Sequence, residues 1–504
     1  MTDTIAIGRP ADLDAAAVLR IARGAAVPVL TRELTGRVEA RRETVLGALA
    51  AQGPVYGVNT GMGAFSERRL DEAEQSRHQE SLMLARSVGG PPWLTAEETR
   101  AVLAVRLRTL LAPESGVSAV LCVRLAEMIA RGVLPALPRD GLGSAGEIIP
   151  LAHLGAALGG RGGVLPPPGA ATDPVPAGPA LAAAGLAPLP LGPKEGVALI
   201  EGVPVTTALA VLCADAARTA LTQGLHTVAG EFALTGASRD ALHPALGRAD
   251  PVLADVNGRL LALVGPQHGA RGLQPPVSFR VSGQVLAQLA RATGLLEDAV
   301  RRALDGVTDS PAYVDEDGTG RFLGTPGFHG YDLASQAHVL TVALVGAAEL
   351  GATRLHRMMD ARVSGRTAQL SPRPGPHAGV SPVHKRAAGV VHALRRLTAP
   401  ATVGTVEGSG GQEDTQSFSV EAAECCRRAA LGLADVTACE LLALHQARRL
   451  GAVPPPGTQA LARALDLAGE PLPDTTEDRF FGEDLTRLRA LLAAGWPGPG
   501  AARA

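Results

Sequence analysis

The stretch Gly141-Leu142-Gly143-Ser144-Ala145-Gly146-Glu147-Ile148-Ile149-Pro150-Leu151-Ala152-His153 feeds a glycine-rich loop directly into an apolar helical run. Three glycines within six residues permit positive φ and let the backbone lie close against a ligand or a neighbouring segment. Ser144, with Glu147 three residues on, reads either as a turn residue or as a capping box that opens the helix.

The run Gly146-Glu147 followed by Pro150-Leu151-Ala152-His153 resembles the signature of the histidine and aromatic amino acid ammonia-lyases. In that family an Ala-Ser-Gly tripeptide cyclises and dehydrates into a methylidene-imidazolone electrophile, MIO. Counted back without gaps from Pro150, the tripeptide falls on Ser144-Ala145-Gly146, and Ala145 has no hydroxyl to eliminate. A register shifted by one, Gly143-Ser144-Ala145, supplies a serine. It needs compensating insertions and deletions, and it puts a Cβ on the residue whose nitrogen must attack. The expectation is therefore no cofactor, with MIO formed only through the shifted register.

Further segments carry the same resemblance. Val55-Tyr56-Gly57-Val58-Asn59-Thr60-Gly61-Met62-Gly63 is similar to a family loop whose tyrosine acts as base or acid, which implies that role for Tyr56 and a binding role for Asn59. A phenol of ordinary pKa, about 10, is a poor base unless its site is tuned. Ser81 to Ser87 matches the region that recognises the substrate side chain and carries Arg86, whose planar fork suits a carboxylate or phosphate. The alternative for Arg86 is an ion pair with a neighbouring glutamate. Pro193-Lys194-Glu195-Gly196-Val197-Ala198-Leu199-Ile200 matches up to the family's asparagine, which is Glu201 here. A glutamate there is a candidate acid or base, and if buried it must be paired or protonated. Arg280, in Gln274-Pro275-Pro276-Val277-Ser278-Phe279-Arg280, falls on the arginine that binds the substrate carboxylate, while Val277 replaces a tyrosine. Phe328, in Gly327-Phe328-His329-Gly330, is expected against the substrate or the glycine loop. Glu407 to Asp414 supplies Gln412 for binding and Glu413 as an acid/base or ammonium-binding carboxylate, unless Glu413 is only a solvated helix start.

Composition limits the rest. Aromatic residues make up 3% of 504 and alanine and leucine abound, which favours helices packed through small and aliphatic side chains. A net charge of -2 gives no electrostatic footprint for nucleic acid or an anionic membrane, so the partners expected are a small-molecule substrate and copies of the chain itself. Cys122, Cys213, Cys425, Cys426 and Cys439 have neither zinc spacing nor a disulfide pattern and read as buried thiols in a reducing compartment. No metal site is expected. The N-terminus lacks a secretory pattern and no run of 18 uninterrupted apolar residues occurs, so the expectation is a cytoplasmic protein without a membrane span.

Helical spacing predicts helices over Asp12 to Arg23, Arg32 to Leu49, Glu97 to Leu111, Ser118 to Arg131, Leu333 to Asp360, Pro382 to Thr398 and Val420 to Leu450. Long helices over 204–305 break near Gly265 to Pro276. Gly160 to Pro193, with Pro166-Pro167-Pro168, reads as an irregular crossover, and the segment from Pro454 as a Pro, Gly and Ala rich tail. Three regions follow: 1–195 with both loops, 196–450 as a central long-helix bundle, and 451–504 as the tail. The resemblance implies a mainly α fold of ammonia-lyase type with a fumarase/aspartase-like core, and a homotetramer with shared active sites. The function expected is a lyase acting on an amino-acid-like carboxylate by acid/base elimination, addition or cyclisation without MIO. The alternatives are an MIO-dependent histidine or aromatic amino acid ammonia-lyase using Gly143-Ser144-Ala145, and a non-catalytic homologue acting as a binding subunit.

Overall fold

The computed structural model describes residues 2–498 except 168, 170–172, 268, 317 and 318, so Pro168 and the end of the tail lie outside it. Strands β1 (Asp3–Ile7) and β2 (Ala26–Leu30) pair in parallel around helix α1 (Ala15–Ala22), followed by α2 (Arg32–Ala51), α3 (Glu72–Arg86), α4 (Ala96–Leu110) and α5 (Ala119–Arg131). Their starts follow from side chains that satisfy the first free amides. Asp71 with Glu74, and Thr95 with Glu98, form reciprocal capping boxes, and Ser118 Oγ accepts from Leu121 N. Helix α5 ends on Gly132 in the left-handed region, φ 68°, where a Cβ would be strained.

Next come α6 (Ile148–Leu158), a short hairpin of β3 (Gly163–Val164) and β4 (Val175–Pro176), α7 (Ala177–Ala183), α8 (Glu195–Ile200) and the long α9 (Pro204–Thr235). The expected irregular crossover therefore contains a hairpin and a helix. Then follow α10 (Pro251–Val264), α11 (Val277–Arg280) and α12 (Ser282–Asp305). An antiparallel pair, β5 (Ala312–Glu316) and β6 (Thr319–Leu323), leads to α13 (Tyr331–Met358), the single turn α14 (Ala361–Ser364), α15 (Ser381–Leu394) and α16 (Ser419–Arg449). The segment read as a tail forms two amphipathic helices, α17 (Gln459–Gly469) and α18 (Phe481–Ala493), which bury Leu461, Leu465, Leu488 and Leu492. Apolar spacing outweighs the surrounding proline and glycine.

The chain divides into two compact units, Met1–Leu212 with Leu296–Ala337 and Pro400–Glu424, and Cys213–Leu295 with His338–Ala399 and Cys425–Ala504. The second is a bundle held by a buried charge cluster. Arg354 of α13 donates to Glu231 of α9, to Glu440 Oε1 of α16 at 2.7 Å, and to Ser282 Oγ of α12 at 3.3 Å. Phe232 and Phe279 pack edge to face beside it, ring centroids 5.6 Å apart. In the first unit α3, α6 and α8 pack closely. A Cβ on Gly196 would lie 2.8 Å from the Gln79 carbonyl oxygen, so α8 meets α3 backbone to backbone. That contact holds the start of α8 against the middle of α3.

Two helical stretches, Glu195–Thr235 and Tyr331–Met358, are long and apolar enough to cross a bilayer by length and composition. The apolar window of the first is 94% buried inside the protein, as in a core helix, and that of the second 56%. Cys122, Cys213, Cys426 and Cys439 are buried free thiols, and Cys425 is half-buried.

Candidate active site

The glycine loop does not form the capping box that its sequence permits. Ser144 Oγ donates to the Gly146 carbonyl at 2.7 Å, making a turn, and leaves the α6 start uncapped by any side chain. Glu147, itself at the N-cap of α6, points instead to the next long helix. Its carboxylate accepts from Val205 N at 2.5 Å and Thr206 N at 2.7 Å, satisfying free amides in the first turn of α9. Burial raises its pKa to about 7 against those hydrogen bonds.

Ala145 is buried, and its amide donates to Glu413 Oε2 at 2.9 Å, while Ser409 Oγ donates to Glu413 Oε1 at 2.8 Å. Glu413 thus pins the 143–146 loop to the 408–413 loop. Gly146 faces Phe328: a Cβ there would meet Phe328 Cδ2 at 3.3 Å and its carbonyl oxygen at 3.4 Å, so Phe328 packs against the loop.

Tyr56 is half-buried, and its hydroxyl oxygen accepts from Gly63 N at 2.9 Å. Burial raises its pKa, the Gly63 amide opposes this, and the carboxyls of Glu201 and Glu413 push further up, so the resting side chain is the neutral phenol. Asn59 accepts from Val55 N at 2.7 Å and donates to the Gly53 carbonyl at 3.1 Å, so its amide holds the tyrosine loop in shape. Arg86, at the last turn of α3, is half-buried and makes no ion pair among the described residues. Its electrostatic neighbours are Tyr56, Glu201 and Glu413, and burial lowers its pKa. Among the described residues the glutamate pairing weighed for it from the sequence is not formed.

Glu201, at the C-terminal end of α8, is 6% exposed. Burial, then the nearby Asp309, raises its pKa to about 8, with Arg106 and Arg86 opposing. Beneath it lie charges that the sequence did not single out. Arg106, fully buried, donates to the Ala198 carbonyl at 3.1 Å and to the Glu201 carbonyl, capping the end of α8. Lys194 Nζ pairs with Asp309 Oδ2 at 2.5 Å, with both residues buried. Lys194 lay within a quoted motif and Arg106 sits among the apolar residues of α4, yet neither pattern says that the two side chains converge.

Tyr56, Arg86, Ser144, Ala145, Gly146, Glu201, Phe328 and Glu413 therefore gather in the first unit. Gln412 is exposed beside Glu413. Arg280 is exposed at the end of α11, in the second unit. Among the described residues no group of three or more His, Cys, Asp or Glu is placed to hold a metal ion.

The family profile of aromatic amino acid lyases matches residues 13–468. The chain belongs to that family. A histidine ammonia-lyase of Anaeromyxobacter dehalogenans is 31% identical over 95% of this chain and 96% of its own, and one of Aromatoleum aromaticum is 33% identical over 91% and 88%. A tyrosine aminomutase from Streptomyces globisporus superposes with a TM-score of 0.88 at 25% identity, covering 98% of this chain and 97% of its own. The histidine ammonia-lyase of Trypanosoma cruzi shares the fold, TM-score 0.86 at 23% identity over 99% and 96%. The mainly helical ammonia-lyase fold and the C–N lyase class expected from the motifs hold for this member of the family.

The donor set does not suit MIO in the ungapped register. The central position is a methyl group, Ala145, and the neighbouring hydroxyl of Ser144 is turned onto the Gly146 carbonyl.

Proposed function

We propose that this aromatic amino acid lyase relative acts on an amino-acid-like carboxylate by acid/base elimination, addition or cyclisation without MIO. The observation that carries the reading is Ala145: no hydroxyl to eliminate, and an amide committed to Glu413. Without an electrophile to withdraw electrons, the substrate proton must already be acidic or the precursor already activated. Tyr56 is the group that exchanges a proton with the substrate, entering as the phenol. Glu201 is the second acid/base group, Arg86 receives an anionic group at the side-chain end, and Glu413 positions the loop or takes the ammonium. Arg280 holds the substrate carboxylate in a site shared between subunits of a homotetramer.

Intact mass tests the reading directly. Ring formation removes two waters, about 36 Da, and the unmodified mass is expected. A loss of that size would overturn the proposal and assign the shifted ring Gly143-Ser144-Ala145. With a turned-over substrate in hand, Tyr56→Phe should lower kcat by ~10²–10⁴-fold. An unchanged kcat would remove Tyr56 from the chemistry.

A further inference from the structure

The run Gly408-Ser409-Gly410-Gly411 carries a single side chain, and the backbone there is unsuited to one. Ser409 has φ 52°, in the left-handed region, as do Gly410 at 63° and Gly411 at 89°. A glycine would occupy position 409 without strain, whereas a serine is strained there. Core packing does not keep it, because Ser409 is exposed. The reason for a serine lies in what its side chain touches.

The hydroxyl donates to Glu413 Oε1 at 2.8 Å, while Glu413 Oε2 accepts from Ala145 N at 2.9 Å. Ser409 thus fixes the rotation of the carboxylate that pins the 143–146 loop. Its Cβ faces Gly63: a Cβ built on Gly63 would lie 3.2 Å from Ser409 Cβ and 3.3 Å from its Oγ. Gly63 is left-handed as well, φ 58°, and its amide donates to the Tyr56 hydroxyl at 2.9 Å. The neighbouring residues meet too, since a Cβ on Gly410 would lie 3.3 Å from Ala64 Cβ. One side chain therefore touches the residue that donates to the phenol and the carboxylate that holds the glycine loop, across three loops of the first unit.

We infer that Ser409 is a positioning residue: its hydroxyl orients Glu413 toward Ala145, and its Cβ seats the Gly63 amide against the Tyr56 hydroxyl. The inference rests on the proposed function for what Tyr56 and Glu413 do, and adds the residue that sets their places. Two variants separate the two contacts. Ser409→Ala keeps the Cβ against Gly63 and loses the hydroxyl, whereas Ser409→Gly loses both and relieves the strain. If Ser409 served only the local backbone, glycine would be the better replacement.

The test reads hydrogen exchange at single amides of the full-length protein by mass spectrometry with electron-transfer fragmentation. Ser409→Ala should speed exchange at Ala145 about fivefold and leave Gly63 as in the wild type, and Ser409→Gly should speed both. The phenol supplies a second signature, tyrosinate absorbance after alkaline pH jumps, with Tyr56→Phe as the blank. Burial raises the Tyr56 pKa and the Gly63 amide opposes this, with Glu201 and Glu413 raising it further and Arg86 lowering it. Both variants lack the hydroxyl, so their comparison isolates the Gly63 contact. The midpoint in Ser409→Gly should lie above that in Ser409→Ala. Ala145 exchange unchanged in both variants, or equal phenol midpoints in the two, overturns the inference. Ser409→Ala decides the Glu413 contact even if Ser409→Gly does not fold. Neither readout needs turnover, so a failure here is distinct from an intact mass showing ring formation, which would remove the ring-free reading instead.

Discussion

Glu413 stands between two donors, the Ala145 amide at 2.9 Å and the Ser409 hydroxyl at 2.8 Å; Ala145 is a buried residue and Ser409 an exposed one. Removing the carboxylate strands a buried N–H, which costs roughly 1–3 kcal/mol, whereas the Ser409 hydroxyl can turn to solvent. Glu413→Ala should therefore lower the melting temperature and speed amide hydrogen exchange in the 143–147 loop, while Glu413→Gln, which keeps an acceptor oxygen, should do less. Equal, unprotected exchange in all three proteins would show that the carboxylate does not hold the loop. The sequence placed Glu413 in the site through its motif but could not tell a reacting carboxylate from a clamping one. That depends on which donors the fold brings to it, and Ala145 is 268 residues away. For the same reason Arg106 and Asp309 escaped notice, because a buried ion cluster is assembled from side chains far apart in sequence.

At the level of elements, periodicity predicts well where one helix face is buried and local residues set the ends. Arg32 to Leu49 becomes Arg32–Ala51, Ser118 to Arg131 becomes Ala119–Arg131, and Val420 to Leu450 becomes Ser419–Arg449. It fails where a cap is supplied from elsewhere. The Ser144-to-Glu147 spacing matches a capping box, but Glu147 gains two amide donors and the favourable N-terminal field of the 32-residue α9 by turning away from its own helix. The loop and α9 are thereby linked through one side chain. Glu147→Gln replaces one acceptor oxygen with an NH₂ facing an N–H, so it should destabilise the fold by about 1–3 kcal/mol in denaturant unfolding. Ser144→Ala, which removes only a hydroxyl turned onto the Gly146 carbonyl, should cost less. If Ser144→Ala proves the more damaging, the capping box is the working interaction after all.

Over the whole molecule, the long apolar helices raise the question of what covers them. In the second unit Val285 and Gln288 of α12, with His338, Val339, Val342, Ala343 and Gly346 of α13, line an apolar recess of about 320 Å³, and Val342 is 46% exposed. A stripe of this kind on a helix only half buried calls for an apolar partner. The homotetramer proposed above would place a second copy of the chain on this face. Val342→Asp places a charge on a position open to water in the single chain, where such changes usually stay within about 0.5 kcal/mol. It should therefore leave the fold of each chain intact while shifting sedimentation to smaller species, and turnover should fall with it if Arg280 reaches the site of a neighbouring subunit. Sedimentation identical to the wild type would show that this face is not where the copies meet.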